Sequence, residues 1–293
     1  MDEREFEDYI RQGEPHKQAK GHTWQTAIGL QAVDGLKPSP YLMETARQHI
    51  EGDISIAEVK QRVDSYYQTR ANREALPERT EEADKVAARI TEILSEQAFH
   101  FSPLEYVEIH RRLFEGIFSH AGQIRTYNIT KKEWVLRGAT VLYASAEMIQ
   151  PALEHDFAQE KAFSYQGLTL DDAIRHMARF VSDLWQIHAF GEGNTRTTGV
   201  FTLKYLRTFG FDLQNDTFAN HSWYFRNALV RANYNDLRQG ITADLRPLER
   251  FFRTLILNEP NDLKNRYLQV GESPFQSATE SDSKCKICTL GKL

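Results

Sequence analysis

His188-Ala-Phe-Gly-Glu-Gly-Asn-Thr-Arg196 joins two segments whose apolar residues recur with helical spacing. Upstream, residues 170–187 carry Leu170, Ile174, Met177, Ala178, Val181, Leu184 and Trp185 at three- and four-residue intervals, as a buried helix face requires. Downstream, residues 197–209 carry Val200, Phe201, Leu203, Tyr205, Leu206 and Phe209, and Gly210 follows as a helix stop. The turn between them gathers an imidazole, a carboxylate, two glycines, an amide and a guanidinium. Glycines let the backbone bend sharply and aim N–H groups at an anion, and the start of the second helix adds its positive end. Glu192 suits a divalent cation, Arg196 suits phosphate oxygens, and His188 suits proton abstraction. These groups together suit binding of a magnesium nucleotide and deprotonation of a hydroxyl.

The same residues resemble the signature of the Fic family, His-x-Phe-x-(Asp/Glu)-Gly-Asn-Gly-Arg-x-x-Arg. That resemblance implies protein AMPylation, in which AMP passes from ATP to a target-protein hydroxyl and pyrophosphate leaves. It implies His188 as the base and Phe190 as the anchor of the loop in the core. Glu192 would hold Mg²⁺ between the α- and β-phosphates, and Gly193 and Asn194 would cradle phosphate oxygens, with Gly191 and Thr195 beside them. Arg196 would neutralise charge on the leaving pyrophosphate. Two positions depart from the pattern: its last glycine is Thr195 and its second arginine is Gly199. The resemblance therefore leaves open transfer of another phosphate-containing group, removal of AMP, or an inactive toxin–antitoxin relic that acts by binding.

Ahead of this core, residues 24–33 place Trp24, Ala27, Ile28, Leu30 and Val33 on one side of a short helix, which the turn 34–40 ends. Ser39 and Pro40 open a second helix that reaches Gly52, and Ser55 with Glu58 forms a capping box for a third. This unit resembles the VbhA-type antitoxins that partner some Fic proteins, most clearly along Gln31-Ala-Val-Asp-Gly-Leu-Lys-Pro-Ser-Pro40. In those antitoxins a Ser/Thr-x-x-x-Glu-Gly motif puts a glutamate where the ATP γ-phosphate would sit. The corresponding regulatory positions here are Leu30 and Asp34-Gly35, with neither hydroxyl nor glutamate, and the arginine that the glutamate pairs with is Gly199. Both halves of that lock are altered, so inhibition of the usual kind is not expected. Asp34 equally suits a plain turn opening before Gly35.

Residues 67–79 are charged and aperiodic and read as a connector. Thr80 reads as the N-cap of the next helix, and Ser102-Pro103 starts another that runs through Ile117. Residues 122–143 are rich in β-branched and aromatic residues around Arg137-Gly138, which predicts a β-hairpin with Val135 and Val141 in its strands. In Fic proteins the equivalent hairpin is a flap that docks the target by main-chain pairing. Arg125, Thr130 and Lys131 are then candidates to face nucleotide or target, or are simply solvated strand residues. Ser145 caps a helix covering Met148, Leu153 and Phe157. After the loop, residues 220–233 and 244–257 read as helices. Tyr224 or Trp223 would stack on adenine, and Asn227 or Arg231 would reach ribose or phosphate; the alternative is that these aromatics are core.

The chain has 293 residues, 41% hydrophobic and 26% charged, with a formal charge of −5. That balance argues against a general nucleic-acid or anionic-membrane binder. No apolar run approaches the roughly 20 residues of a membrane span, and no signal-peptide core is evident at the start. The only cysteines, Cys285 and Cys288, form one pair, too few for a zinc site within the chain. A cytoplasmic setting is expected. The resulting expectation is a mainly α protein with a β-hairpin flap: an antitoxin-like unit over 1–66, a connector over 67–79, a Fic core over 80–258 and a polar tail or linker over 259–293. ATP and Mg²⁺ are the implied ligands, and a protein carrying a Ser, Thr or Tyr hydroxyl, this chain itself included, is the implied partner.

Overall fold

The computed structural model describes residues 6–69, 79–211, 213 and 216–271. At the N-terminal side, α1 (Glu7–Gln12) and α2 (Pro15–Gly29) run into a 3₁₀ turn, Leu30–Asp34, which stops at Gly35 in the left-handed region (φ 70°). The periodic stretch read as starting at Trp24 is thus the end of a longer helix, opened by Pro15 at its first position. α3 (Pro40–Glu51) is capped by Ser39, whose hydroxyl accepts from the Leu42 N–H, and ends at Gly52 with φ 92°. α4 (Ile56–Tyr66) carries the expected capping box between Ser55 and Glu58.

α5 (Thr80–Ser95) starts one residue earlier than expected, at Thr80 itself, with Arg79 at the N-cap position. α6 (Pro103–Phe114) is capped by Ser102 and stops short of Ile117. A 3₁₀ turn, Ala146–Met148, leads into α7 (Ile149–Ala162). α8 (Leu170–Ile187) precedes the loop and α9 (Asn194–Arg207) follows it. α10 (Thr217–Ala232) is kinked at His221, and α11 (Arg246–Leu257) packs against it.

Every residue of α9 from Asn194 to Leu206 is buried, which makes it the central helix, with α5, α6 and α8 around it. Even Lys204 is buried there, its ammonium donating to the Ile93 and Glu96 carbonyls at the end of α5, where helix geometry leaves acceptors unpaired. α2 packs against α5 and α10. Trp24, Ala27 and Leu30 are fully buried and belong to the same apolar cluster as Val86, Phe201 and Phe225. A side chain such as Leu30 contributes about 1.5–3 kcal/mol by leaving water, so the N-terminal unit is fastened by core burial and not merely tethered.

Gly29 lets this happen: a Cβ there would stand 2.5 Å from the Ala219 Cα and 2.8 Å from the Phe218 carbonyl oxygen of α10. Ser222 of α10 donates a hydrogen bond to the Gly29 carbonyl. A second fastening is the buried Asp84 of α5, which accepts from the Ser39 N–H (2.7 Å), the Ser39 hydroxyl (2.5 Å) and the Tyr67 hydroxyl (2.7 Å).

Two expectations are corrected. The first is the β-hairpin: among the described residues the fold is helical, and β pairing is limited to an isolated bridge between Asp236 and Ile241. Residues 123–145 form extended arms around a 3₁₀ turn, Trp134–Leu136. Glu133 donates its N–H to Ala139 and accepts from Gly138, but the ladder goes no further. The reason is the burial of Glu133, 1% exposed and drawn inward by Arg226 and Tyr143, together with that of Val135 and Leu136. The tip turns toward the core, and Arg137 and Gly138 both take positive φ to close it.

The second correction is the tail. Residues 259–271 are packed, with Leu263, Leu268 and Val270 buried and the Val270 N–H donating to the Val135 carbonyl. Three apolar residues in a polar segment are enough to seat it. Cys285 and Cys288 lie outside the described residues, as does most of the connector. Among the described residues no helix is long and apolar enough to cross a membrane.

Candidate active site

His188 caps the C-terminus of α8 in the left-handed region (φ 51°), its N–H donating to the Trp185 carbonyl. A residue with a Cβ adopts this conformation at a cost of roughly 1–2 kcal/mol, and Arg125 holds it there. The Arg125 guanidinium donates to the carbonyls of His188 (2.8 Å), Ile187 (3.3 Å), Tyr127 (2.6 Å) and Ala144 (2.5 Å), and its backbone N–H to Ala189. It serves the unpaired acceptors of the helix end. Arg125 is therefore a brace under the loop and not the solvated or nucleotide-facing residue that sequence reasoning offered.

The His188 ring is turned inward, 3% exposed, 4.2 Å from the Tyr143 ring and edge-on to Trp185. Among the described residues neither ring nitrogen has a hydrogen-bond partner. Burial, with the charges of Lys131 and Arg125 adding to it, holds this imidazole well below the ordinary histidine range, so it is neutral. In this conformation the segment bearing Lys131, Glu133 and Tyr143 covers it.

The rest of the loop is tied to itself and to α6. Asn194 closes it, accepting from the Phe190 N–H (3.0 Å) and donating to the Phe190 carbonyl (2.7 Å). Phe190 is fully buried and stacked on His110 at 3.7 Å. His110 accepts the Gly122 N–H at Nδ1 (2.9 Å), so its proton is on Nε2, which donates to the Glu192 carbonyl (3.1 Å). Gly193 caps α9 with φ 76°, and a Cβ there would meet the Phe114 ring at 2.4 Å. Thr195, at the altered glycine position, accepts a hydrogen bond from the Trp185 indole (3.0 Å). Gly191 lies close to the Tyr127 hydroxyl and to the His120 ring.

Glu192 is half-exposed, its carboxylate 3.2 Å from the Lys131 ammonium. Arg196 is fully buried under three partners. Its Nη2 donates to Glu82 (2.6 Å), its Nη1 to Gln31 (3.2 Å), and its Nε stands 2.8 Å from Asp34 Oδ2. The Asp34 contact is close but not aligned along the N–H, so it acts as a charge pairing. The Phe114 ring lies 4.7 Å from the guanidinium carbon. Asp34 and Gln31 thus bring the N-terminal unit onto the loop's arginine, although the sequence led to no such engagement. The contact is made to Arg196; beside Gly199 lies Leu30, whose Cδ2 would stand 3.0 Å from an added Cβ.

Sequence reasoning missed Glu82, Gln31, Arg79, Glu133 and Arg226. Glu82 looked like a helix-start acid and Arg79 like part of a connector. Nothing in a linear reading pairs them with residue 196. Burial pushes the Glu82 carboxyl up, but Arg79 and Arg196 together draw it below the usual carboxylate range. Arg226 of α10 pairs with the buried Glu133 at 2.8 Å, behind Tyr143.

Val135 and Val141 are buried in the core, while Thr130 is exposed. Tyr224 is 2% exposed and its polar surroundings are Arg250, Asp244 and Asp262; Asn227 donates to Asn265, and Arg231 is half-buried near Asp244. Among the described residues no cluster of three or more His, Cys, Asp or Glu could hold a metal by itself.

Residues 100–206 match the family model described as Fic/DOC family. It is this stretch, which includes the loop 188–196, that is similar to the Fic/DOC family. The chain is similar to the protein adenylyltransferase VbhT of Bartonella schoenbuchensis, 26% identical over 150 residues, 47% of this chain and 30% of that protein. It also resembles a protein adenylyltransferase of Bartonella henselae, 24% identical over 201 residues, 63% of this chain and 35% of that one. The chain spans about a third of the length of these curated relatives. Among solved structures, a Fic family protein from Desulfovibrio desulfuricans superposes with a TM-score of 0.52 at 12% identity, over 86% of this chain and 68% of that chain. That likeness concerns the Fic fold.

Proposed function

We propose that this chain is a protein adenylyltransferase whose N-terminal unit, an antitoxin-like domain over residues 1–66, holds it in check. The observation that carries the reading is the loop itself. It puts an imidazole at the end of one helix, and a carboxylate and a guanidinium beside the N-terminus of the next, within nine residues. The names of the distant relatives support it.

ATP would lie with its phosphates over the start of α9, where the first N–H groups have no helical partner. Asn194 contributes by fixing the turn rather than by reaching outward. Mg²⁺ fits a donor set of this kind, since one carboxylate plus substrate phosphates is its common arrangement. Glu192 would hold it, and Lys131 now supplies the positive charge beside that carboxylate. When bound, the ion would neutralise phosphate charge. His188 Nε2 or Nδ1 would take the proton of a target Ser, Thr or Tyr hydroxyl. The hydroxyl oxygen then bonds to the α-phosphorus as the bond to the β-phosphate oxygen breaks, and pyrophosphate departs. Arg196 would balance the charge that develops there. The gain comes from positioning and charge neutralisation.

Two movements are required. The segment 123–145 must lift Tyr143 from His188, and Asp34 and Gln31 must leave Arg196. The test is incubation of the full chain with labelled ATP and Mg²⁺, alone and with candidate acceptor proteins. Label should reach protein, and His188→Ala should abolish it while the fold is kept. Transfer undiminished in His188→Ala refutes the mechanism. Label arriving only from another nucleotide would favour transfer of a different group. The absence of an arginine at Gly199 favours a second reading, a relic acting by binding, and failure of Asp34→Ala protein to bind any magnesium nucleotide would establish it.

A further inference from the structure

Arg79 lies beside the same carboxylate as Arg196. Glu82 accepts from Arg79 Nε (2.8 Å) and Nη2 (2.9 Å), and its Oε1 also accepts from Arg196 Nη2 (2.6 Å). Two guanidinium groups from distant parts of the chain are thus set side by side on one acid. Their surroundings differ. Arg196 is fully buried, whereas the Arg79 side chain is 37% exposed. Among the described residues, Asp34 of the N-terminal unit and Glu82 are the carboxylates paired with these two guanidinium groups, so loss of Asp34 removes one of the balancing charges. Asp34 and Gln31 cover Nε and Nη1 of Arg196, while Glu82 covers only Nη2. Withdrawal of the N-terminal unit would therefore free the outer edge of Arg196 and leave Glu82 as the common tether.

We propose that Arg79, tethered with Arg196 on Glu82, is the second phosphate-binding guanidinium of the site and binds the terminal phosphate of a nucleoside triphosphate. It rests on the transferase reading above and identifies the group that replaces an arginine at position 199. Three observations support it. Leu30 and Phe218 pack against position 199, where an added Cβ would stand 3.0 and 3.5 Å from them, so the docked N-terminal unit takes up the space beside that position. Arg79 holds a left-handed backbone (φ 66°) at the N-cap of α5 without any side-chain cap, a strained conformation of the kind that recurs at functional positions. Its charge is stabilised first by the Glu82 hydrogen bonds and further by Asp34 and Glu192, which places it within the field of the loop's acidic residue.

The test is calorimetry on the full-length Asp34→Ala protein with Mg-ATP, Mg-ADP and AMP, with and without a second substitution, Arg79→Ala or Arg79→Gln. Loss of the terminal-phosphate contact should weaken ATP at least tenfold and leave AMP within twofold, the AMP affinity also reporting an intact fold. Arg79→Lys should recover part of the loss. Equal ATP affinity with and without Arg79, or equal losses for ATP and AMP, overturns the assignment while leaving the transferase reading in place. No nucleotide binding by the Asp34→Ala protein that retains Arg79 overturns both.

Discussion

Asp34→Ala is the perturbation that most directly probes the restraint on Arg196. The arginine is fully buried and the aspartate side chain is 19% exposed, with Nε and Oδ2 2.8 Å apart. A charge-assisted contact in such surroundings is worth about 1.5–3 kcal/mol when aligned, and this one is off the N–H direction. Misalignment moves it toward the range of an uncharged hydrogen bond, to about 1–2 kcal/mol. Glu82 and Gln31 still hold Arg196 in the variant, so the effect stays within that range. At 1.36 kcal/mol per factor of ten, freeing Arg196 should raise the rate of transfer by roughly 5–30-fold. The assay is the initial rate of label transfer from ATP at subsaturating concentration, with a thermal melt of the same samples. The expected result is activation together with a slightly lower melting temperature. Unchanged transfer with a lowered melting temperature would mean that the contact exists but does not restrain the site. The altered motif, Asp34 for Glu and Gly199 for Arg, would then have disabled the lock, as the sequence alone suggests.

Gly29→Ala should undock the N-terminal unit, because the added Cβ meets backbone atoms of α10 at 2.5–2.8 Å that cannot yield. A loss of about 1–3 kcal/mol is expected from overpacking, with transfer rising as in Asp34→Ala, and limited proteolysis with activity assays would detect both. Gly193→Ala should be more damaging, combining a positive φ of 76° with a 2.4 Å approach to the Phe114 ring, at about 2–4 kcal/mol in all. Denaturant melts would measure it, and wild-type stability would contradict the placement of the loop. Acid should also destabilise the fold. Burial pushes His49 down to about 4 and His110 to about 3, and holds His188 well below its usual range. The unfolded chain then binds protons first as pH falls. Stability should be full above pH 6.5 and drop below it by about 1.4 kcal/mol per pH unit for each histidine, continuing to about pH 4 for His49 and lower for His110. Equal urea midpoints at pH 7.5 and 5.5 would contradict this.

Much of this architecture is legible along the chain. The capping box at Ser55 and Glu58, the Ser39-Pro40 start and the apolar face of α8 are local signals, and local hydrogen bonding decides them. The loop 188–196 is legible for the same reason, since its imidazole, acid and guanidinium sit within one turn. What fails is whatever depends on long-range burial. The segment around Arg137-Gly138 has hairpin composition, yet Glu133 is drawn to Arg226, 93 residues away, and the strands never pair. Arg125 looks like a strand cation but ends under four carbonyls, two of them contributed by residues 62 and 63 positions away. Arg196 could be read as a phosphate ligand but not as a partner of Glu82 and Gln31, which are 114 and 165 residues distant.

These long-range contacts divide the restraint into two independent parts. Tyr143 lies over His188 and Lys131 pairs with Glu192, both from the segment 123–145, so these two side chains are covered from one side. Asp34 and Gln31 cover Arg196 from the other. Residues that share no partner contribute additively, so release of one half should leave the other closed. Lys131→Ala should free the Glu192 carboxylate without touching Arg196, and Asp34→Ala the reverse. The pair is an exposed one, with 30% and 37% of the side chains accessible, so its loss alone should change transfer by no more than about fivefold. Combined with Asp34→Ala, the two effects should multiply. A double variant no faster than Asp34→Ala alone would show that one barrier, not two, limits the chemistry, and would place that barrier at Arg196.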